Sequence, residues 1–91
     1  MFRWNVILEK GADHDLAKLD KLIRQRILEK IEWLGSNFDD ILPQTLSSNL
    51  SQFYKLRVGD WRVVYAVTAN LKTISIVAIG HRKNIYKRRL S

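Results

Sequence analysis

The chain has no cysteine, one proline, four glycines and, across residues 53–91, a single carboxylate, Asp60. Without cysteine, neither a disulfide framework nor a thiolate zinc site can supplement the core, so packing must carry stability. No apolar run approaches the roughly 20 residues that a membrane helix needs. The Phe2 to Leu8 stretch is interrupted by Arg3 and Asn5 and is unlike a signal sequence, so a soluble cytoplasmic protein without membrane contact is expected. No linker, internal repeat or low-complexity tract divides the 91 residues. A single domain spanning 1–91 is expected, large enough to bury roughly 60% of its unfolded surface.

The scarcity of acid in the second half has the widest consequence. Residues 1–52 hold 7 Lys/Arg and 8 Asp/Glu, net −1, whereas residues 53–91 hold 9 and 1, net +8, for the overall +7. Positive potential concentrated in this way attracts polyanions at long range and holds them by neutralising phosphates. Nucleic acid is the partner class this implies.

Phe2, Trp4, Val6 and Leu8 recur with a period near two, as in a strand with one buried face. After Gly11 the period changes: Leu16, Leu19, Ile23, Ile27, Ile31 and Leu34 follow three- and four-residue steps, the stripe of a helix. Asp13 or Asp15 could cap its start, and Gly35 is placed to follow its end. Asp20 is a second cap, which favours a helical hairpin broken near Asp20–Lys21 over one continuous helix. Residues 36–52, with Pro43 among polar residues, read as a loop that can hold one short turn. Three β-rich runs follow, Phe53–Val58, Trp61–Thr68 and Thr73–Ile79, as an antiparallel meander that ends in a short basic helix or tail. Trp4, Trp33 and Trp61 read as core aromatics, and His14 as an exposed residue near the helix start.

Gly59–Asp60 suits a two-residue turn of type II′, whose first central position favours glycine. That turn pairs Arg57 with Arg62, Leu56 with Val63, Lys55 with Val64 and Tyr54 with Tyr65, and cross-strand partners share a face. One face then carries Tyr54, Leu56, Val58, Trp61, Val63, Tyr65 and Val67, suited to receive the helical stripe. The other carries Lys55, Arg57 and Arg62. Two arginines set opposite each other repel and need compensation, which a bound phosphate would supply; a plain solvated face is the alternative. His81, Arg82, Lys83, Tyr86, Lys87, Arg88 and Arg89 form a dense block after the last run, and the meander can return Arg82 and Tyr86 to the neighbourhood of Arg62.

The string Tyr54-Lys55-Leu56-Arg57-Val58-Gly59-Asp60-Trp61-Arg62-Val63-Val64-Tyr65, followed by Gly80-His81-Arg82-Lys83-Asn84-Ile85-Tyr86, resembles the RelE/ParE toxin superfamily, and RelE-type toxins in particular. The resemblance covers nearly the whole chain. It implies an α+β fold of two layers, with the N-terminal strand and helical hairpin packed on a mainly antiparallel twisted sheet. It further implies a toxin of a type II toxin-antitoxin system that cuts messenger RNA in the ribosomal A site, without metal or other cofactor, by turning the ribose 2′-hydroxyl on the adjacent phosphate. The implied partners are a cognate antitoxin, the ribosome and its message, with operator DNA contacted only through the toxin-antitoxin complex. The family's functional basic positions fall on Lys55, Arg57, Arg62 and Arg82, and its functional tyrosine on Tyr86. His81 lies where members have lysine or histidine.

Such a reaction needs a base for the 2′-hydroxyl proton, donors for the charge on the phosphorane oxygens and an acid for the departing 5′-oxygen. Arg62 is the first candidate for the phosphorane clamp and Arg82 for a second clamp or an indirect proton donor. Tyr86 can act as base only as a phenolate, which cations nearby favour; stacking on a base or anchoring the tail are its other readings. His81 is the side chain of a type that ordinarily exchanges protons near neutral pH. Lys83, Lys87 and Arg88 join Lys55 and Arg57 as phosphate-binding candidates. Some relatives pair histidine with a glutamate on the sheet; here Asp60 at the turn is the sole acid of the basic half, which argues against a carboxylate base. A ParE-like toxin that binds DNA gyrase and a basic nucleic-acid-binding module without catalysis are the competing functions.

Overall fold

Asp20 sets the first break in the chain. In the computed structural model, which describes residues 3–46 and 52–87, its Oδ1 accepts the Ile23 N–H at 3.1 Å, and its extended backbone separates helix α1 (Lys10–Ala17) from helix α2 (Lys21–Asn37). A cap of this kind contributes typically about 1 kcal/mol. Helix α1 follows directly on strand β1 (Asn5–Leu8): the extended Glu9 still donates its N–H to the Ile76 carbonyl of the sheet at 2.9 Å, while its own carbonyl accepts the first helical bond from the Asp13 N–H. Asp13 and Asp15 therefore lie inside α1 and not at its start.

Gly35 lies within α2 and does not end it. A Cβ at this position would stand 2.8 Å from Val6 Cγ2 and 3.3 Å from the Trp4 carbonyl, so glycine allows α2 to lie directly on the entry to β1. The Gly35 carbonyl also accepts the Trp4 N–H at 3.0 Å.

The segment read as an irregular loop contains a 3-10 turn, Phe38–Asp40, and a two-residue strand, β2 (Gln44–Thr45). Such a short edge strand leaves no periodic trace. Strands β3 (Tyr54–Val58), β4 (Trp61–Thr68) and β5 (Thr73–His81) form the meander, the last running two residues further than its apolar pattern indicates. The sheet order is β1-β5-β4-β3-β2, antiparallel throughout except for the β1–β5 pair.

Both helices cover one face. Leu16, Ile27, Ile31 and Leu34 meet Val63, Tyr65, Ile74, Ile76 and Ile79 in the main core, closed at one end by Trp4 and Phe38 with ring centroids 4.8 Å apart. The Trp4 indole N–H is satisfied by Asp39 at 2.9 Å. A bulge in β5 pairs Val64 with Ala78 but Tyr65 with Ile76, and beyond it the strand's faces exchange. Asp15 of α1 accepts the Ile79 N–H at this point, at 2.9 Å, which ties the first helix to the irregularity. Ala78 is thereby turned to the opposite face, where it joins Val64, Leu46 and Ile85 in a second, smaller cluster.

Two outcomes follow from this packing. Gly35→Ala should destabilise the protein by about 1 kcal/mol in urea unfolding, because the clash with a β-branched side chain on a hydrogen-bonded strand outweighs alanine's helix propensity. Burial, with Tyr54 alongside, pushes the Tyr65 phenol up to about 12 from 10.0. Between these values the unfolded chain has lost a proton that the folded chain keeps. The contribution is thus complete below pH 10 and lost as pH rises towards 12, by about 2 kcal/mol. Tyr65→Phe should flatten that part of the stability-pH curve.

Candidate functional site

The β3–β4 hairpin builds one side of the site. Gly59 has φ +59°, while Asp60 does not enter the positive region, the pattern of a II′ turn. The register pairs Arg57 with Arg62, Lys55 with Val64, and Tyr54 with Tyr65. Tyr54, Leu56, Val58, Trp61 and Val67 lie against the main core, so the apolar and basic faces divide as the alternation implies.

The repulsion expected between Arg57 and Arg62 is relieved within the chain. Arg62 Nη1 donates to the carbonyls of Gly59 and Trp61, both at 2.9 Å, which draws its guanidinium back over the turn. Arg82 arrives at the same turn from the end of β5: its N–H donates to the Asp60 carbonyl at 2.8 Å and its Nε lies 3.4 Å from Asp60 Oδ1. Both side chains of that ion pair are more than half exposed, so it orients more than it stabilises. The one acid of the basic half is thus the fastener that brings Arg82 beside Arg62.

Tyr86 is placed by its neighbour. Ile85 opens a 3-10 turn (Ile85–Lys87), is fully buried against Val64, Ala78 and Leu46, and lies so close to Gly80 that a Cβ there would be 3.0 Å from Ile85 Cδ1. Gly80 pairs with Arg62, so the chain folds back over the basic face next to that arginine. Tyr86, about half exposed, then sets its ring centroid 5.7 Å from Lys55 Nζ, within cation-π range. Lys55 and Arg57 stand two residues apart on β3, about 7 Å, and bridge the Lys55–Tyr86 contact to the turn.

His81 is not brought into this group. It pairs with Trp61, on the helix side of the sheet, with the two rings edge to face at 5.4 Å, and its Nδ1 accepts the Lys83 N–H at 3.2 Å. Strand alternation is the reason, since Gly80 is the residue of β5 that shares a side with Arg62. Lys83 and Lys87 are exposed beside Arg82 and Tyr86, whereas Arg88 lies outside the described residues. His14 is exposed. Trp33 is not a core aromatic: it is 40% exposed, with Lys30 Nζ 3.8 Å from its ring centroid.

The Gly80–Ile85 contact escapes a reading of composition. Its one sequence signal is a glycine inside a strand pattern, which marks a close approach. Ile85→Ala should lower stability by about 2 kcal/mol through the cavity it leaves. Hydrogen exchange should then accelerate across residues 82–87 more than in α2, since the turn that carries Tyr86 loses its anchor.

These features define a class: a two-layer α+β domain whose bare sheet face gathers cations and a tyrosine from strands distant in sequence. The chain belongs to the RelE/ParE superfamily and is a toxin of a type II toxin-antitoxin system, since residues 6–86 match the model of the ParE toxin of type II toxin-antitoxin system, parDE. Among solved structures it is similar to the toxin-antitoxin complex RelBE2 from Mycobacterium tuberculosis, with a TM-score of 0.79 and 24% identity over 90% of this chain and 94% of that one. The archaeal RelE-RelB complex from Pyrococcus horikoshii matches with a TM-score of 0.69 and 25% identity over 89% and 97% of the two chains. The RelB-RelE complex from Methanococcus jannaschii matches with 0.68 and 28%, over 89% and 95%. No curated protein matches by sequence comparison. Among the described residues, no helix is long and apolar enough to cross a membrane.

Proposed function

We propose that this toxin is a ribosome-dependent endoribonuclease of the cytoplasm that stops translation by cutting messenger RNA. The observation that carries the reading is the meeting of Arg62 and Arg82 at the Gly59–Asp60 turn, beside a face that presents Lys55, Arg57 and Tyr86. Arg62 commits only Nη1 to carbonyls and Arg82 only Nε to Asp60 among the described residues, so each guanidinium keeps donors for phosphate oxygens.

In the proposed step the ribose 2′-oxygen bonds to the adjacent phosphorus and the bond to the 5′-oxygen breaks, leaving a 2′,3′-cyclic phosphate and a 5′-hydroxyl. Arg62 and Arg82 stabilise the charge that grows on the non-bridging oxygens. Tyr86, held beside Lys55, takes the 2′-hydroxyl proton as its phenolate, and a water molecule oriented by Arg82 gives a proton to the departing 5′-oxygen. Lys55, Arg57, Lys83, Lys87 and Arg88 hold the flanking phosphates. His81 acts indirectly, by closing the turn that carries Arg82. The basic face also suits an acidic or amphipathic antitoxin segment by charge complementarity, and the solved relatives in complex with an antitoxin support that partnership. Operator DNA is contacted only through the toxin-antitoxin complex.

The matching family model is that of ParE, which favours gyrase binding as the second reading. Expression in cells with mapping of message ends on ribosomes separates the two. Cut messages should appear with the native chain, and Arg62→Ala with Arg82→Ala should reduce cleavage by at least about 10²-fold, the usual cost of losing one such donor. Unchanged cleavage in that double variant refutes the assignment, and intact messages accompanied by DNA damage transfer the protein to the gyrase-binding class.

A further inference from the structure

Helix α2 and the outer edge of β3 enclose a groove of about 260 Å³, of which the proposed chemistry uses only the rim residues Lys55 and Arg57. Its walls include Trp33, Leu42, Pro43 and Leu56, and its cations are Lys30, Lys55 and Arg57; among the described residues no carboxylate lines it. Leu42 is 93% exposed, and Trp33 is a large indole left open on a helix whose other face fills the core. Among the described residues strand β2 pairs with Tyr54 and Lys55 alone, so the groove passes Leu56 and Arg57 at the edge of β3 and reaches the basic face.

We propose that this groove is a subsite for single-stranded RNA, in which one base stacks on Trp33 while Lys30, Lys55 and Arg57 hold its flanking phosphates. The proposal deepens the nuclease reading and rests on it. A part-exposed aromatic ring edged by cations is the arrangement that binds single strands through ring stacking and backbone charge. The Lys30 ammonium now covers the indole at 3.8 Å; a base entering the groove takes its place and releases that cation to a phosphate.

Continuity with the cleavage site favours RNA over a peptide. Lys55 lines the groove and also faces Tyr86, and Arg57, its neighbour on the same side of β3, pairs with Arg62. One polyanion can therefore occupy both regions along an unbroken line of cations. A peptide anchored in the groove would need pockets for its side chains, whereas Trp33 and Leu42 offer an open surface.

The test uses the full-length protein and a short 2′-O-methyl RNA, which cannot be cleaved by 2′-hydroxyl attack, carrying 4-thiouridine for crosslinking. Crosslinks should map to Trp33 or Leu42 as well as to the segment around Tyr86. Trp33→Ala should weaken binding about tenfold, Trp33→Tyr should recover most of it, and Leu22→Ala, at an exposed site of the same helix outside the groove, should leave it unchanged. Thermal melts of the variants confirm that they fold. Crosslinks confined to the Tyr86 side, or undiminished binding by Trp33→Ala, overturn the subsite and leave message cleavage standing. Weakened binding of a synthetic alternating glutamate-leucine peptide, with RNA binding unaffected, makes the groove a protein dock and overturns it too. Absence of any crosslink together with intact messages in expressing cells removes the nuclease reading and the subsite with it.

Discussion

The arrangement of the whole site depends on the register of the β3–β4 hairpin, which the Gly59–Asp60 turn sets. A two-residue turn with positive φ at its first position leaves one pairing, and a slip by one residue would send every side chain of the hairpin to the opposite face. In the observed register Val63 and Tyr65 enter the core while Lys55, Arg57 and Arg62 remain outside. Burial of apolar side chains thus holds the cations in place, although no cation contributes to the core. The same turn also supplies the acceptors that let Arg62 stand opposite Arg57 and the acid that draws in Arg82.

The bare face of the sheet is not bare throughout. A small cluster of Leu46, Val64, Ala78 and Ile85 anchors the chain after β5, and the bulge in β5 is what presents Ala78 on that side. Ile85 contributes burial, and Tyr86, one residue further, receives its position from it. Burial at Ile85 and exposure at Tyr86 are thus separated by a single peptide unit, and Tyr86 stays half exposed with its ring beside Lys55.

Fold class was legible in the periodicities: the stripe from Leu16 to Leu34 with a cap at Asp20 and the hairpin pairing stand in the structure as the residue pattern implies, whereas of the alternation at the start Trp4 and Val6 turn inward, Leu8 is exposed and Phe2 lies outside the described residues. The departures share one cause. Gly35 reads as a helix end but serves a helix–strand contact, Trp33 reads as core but is 40% exposed, and His81, a proton-transfer candidate by side-chain type, faces Trp61. Each depends on which neighbour arrives from a distant part of the chain, and local spacing does not encode that.

The residue order alone determined the local conformations, the face on which each hairpin side chain lies and the segregation of charge, because these follow from steric periods and fixed side-chain chemistry. Only the tertiary structure decided that Arg82 meets Asp60, that Ile85 seats on Gly80 to bring Tyr86 to Lys55, and that Trp33 opens onto a cationic groove. Those are contacts between segments far apart in sequence. They are settled by how a bulged, twisted sheet and two helices fill space together, a property of the assembled core that no stretch of the chain carries by itself.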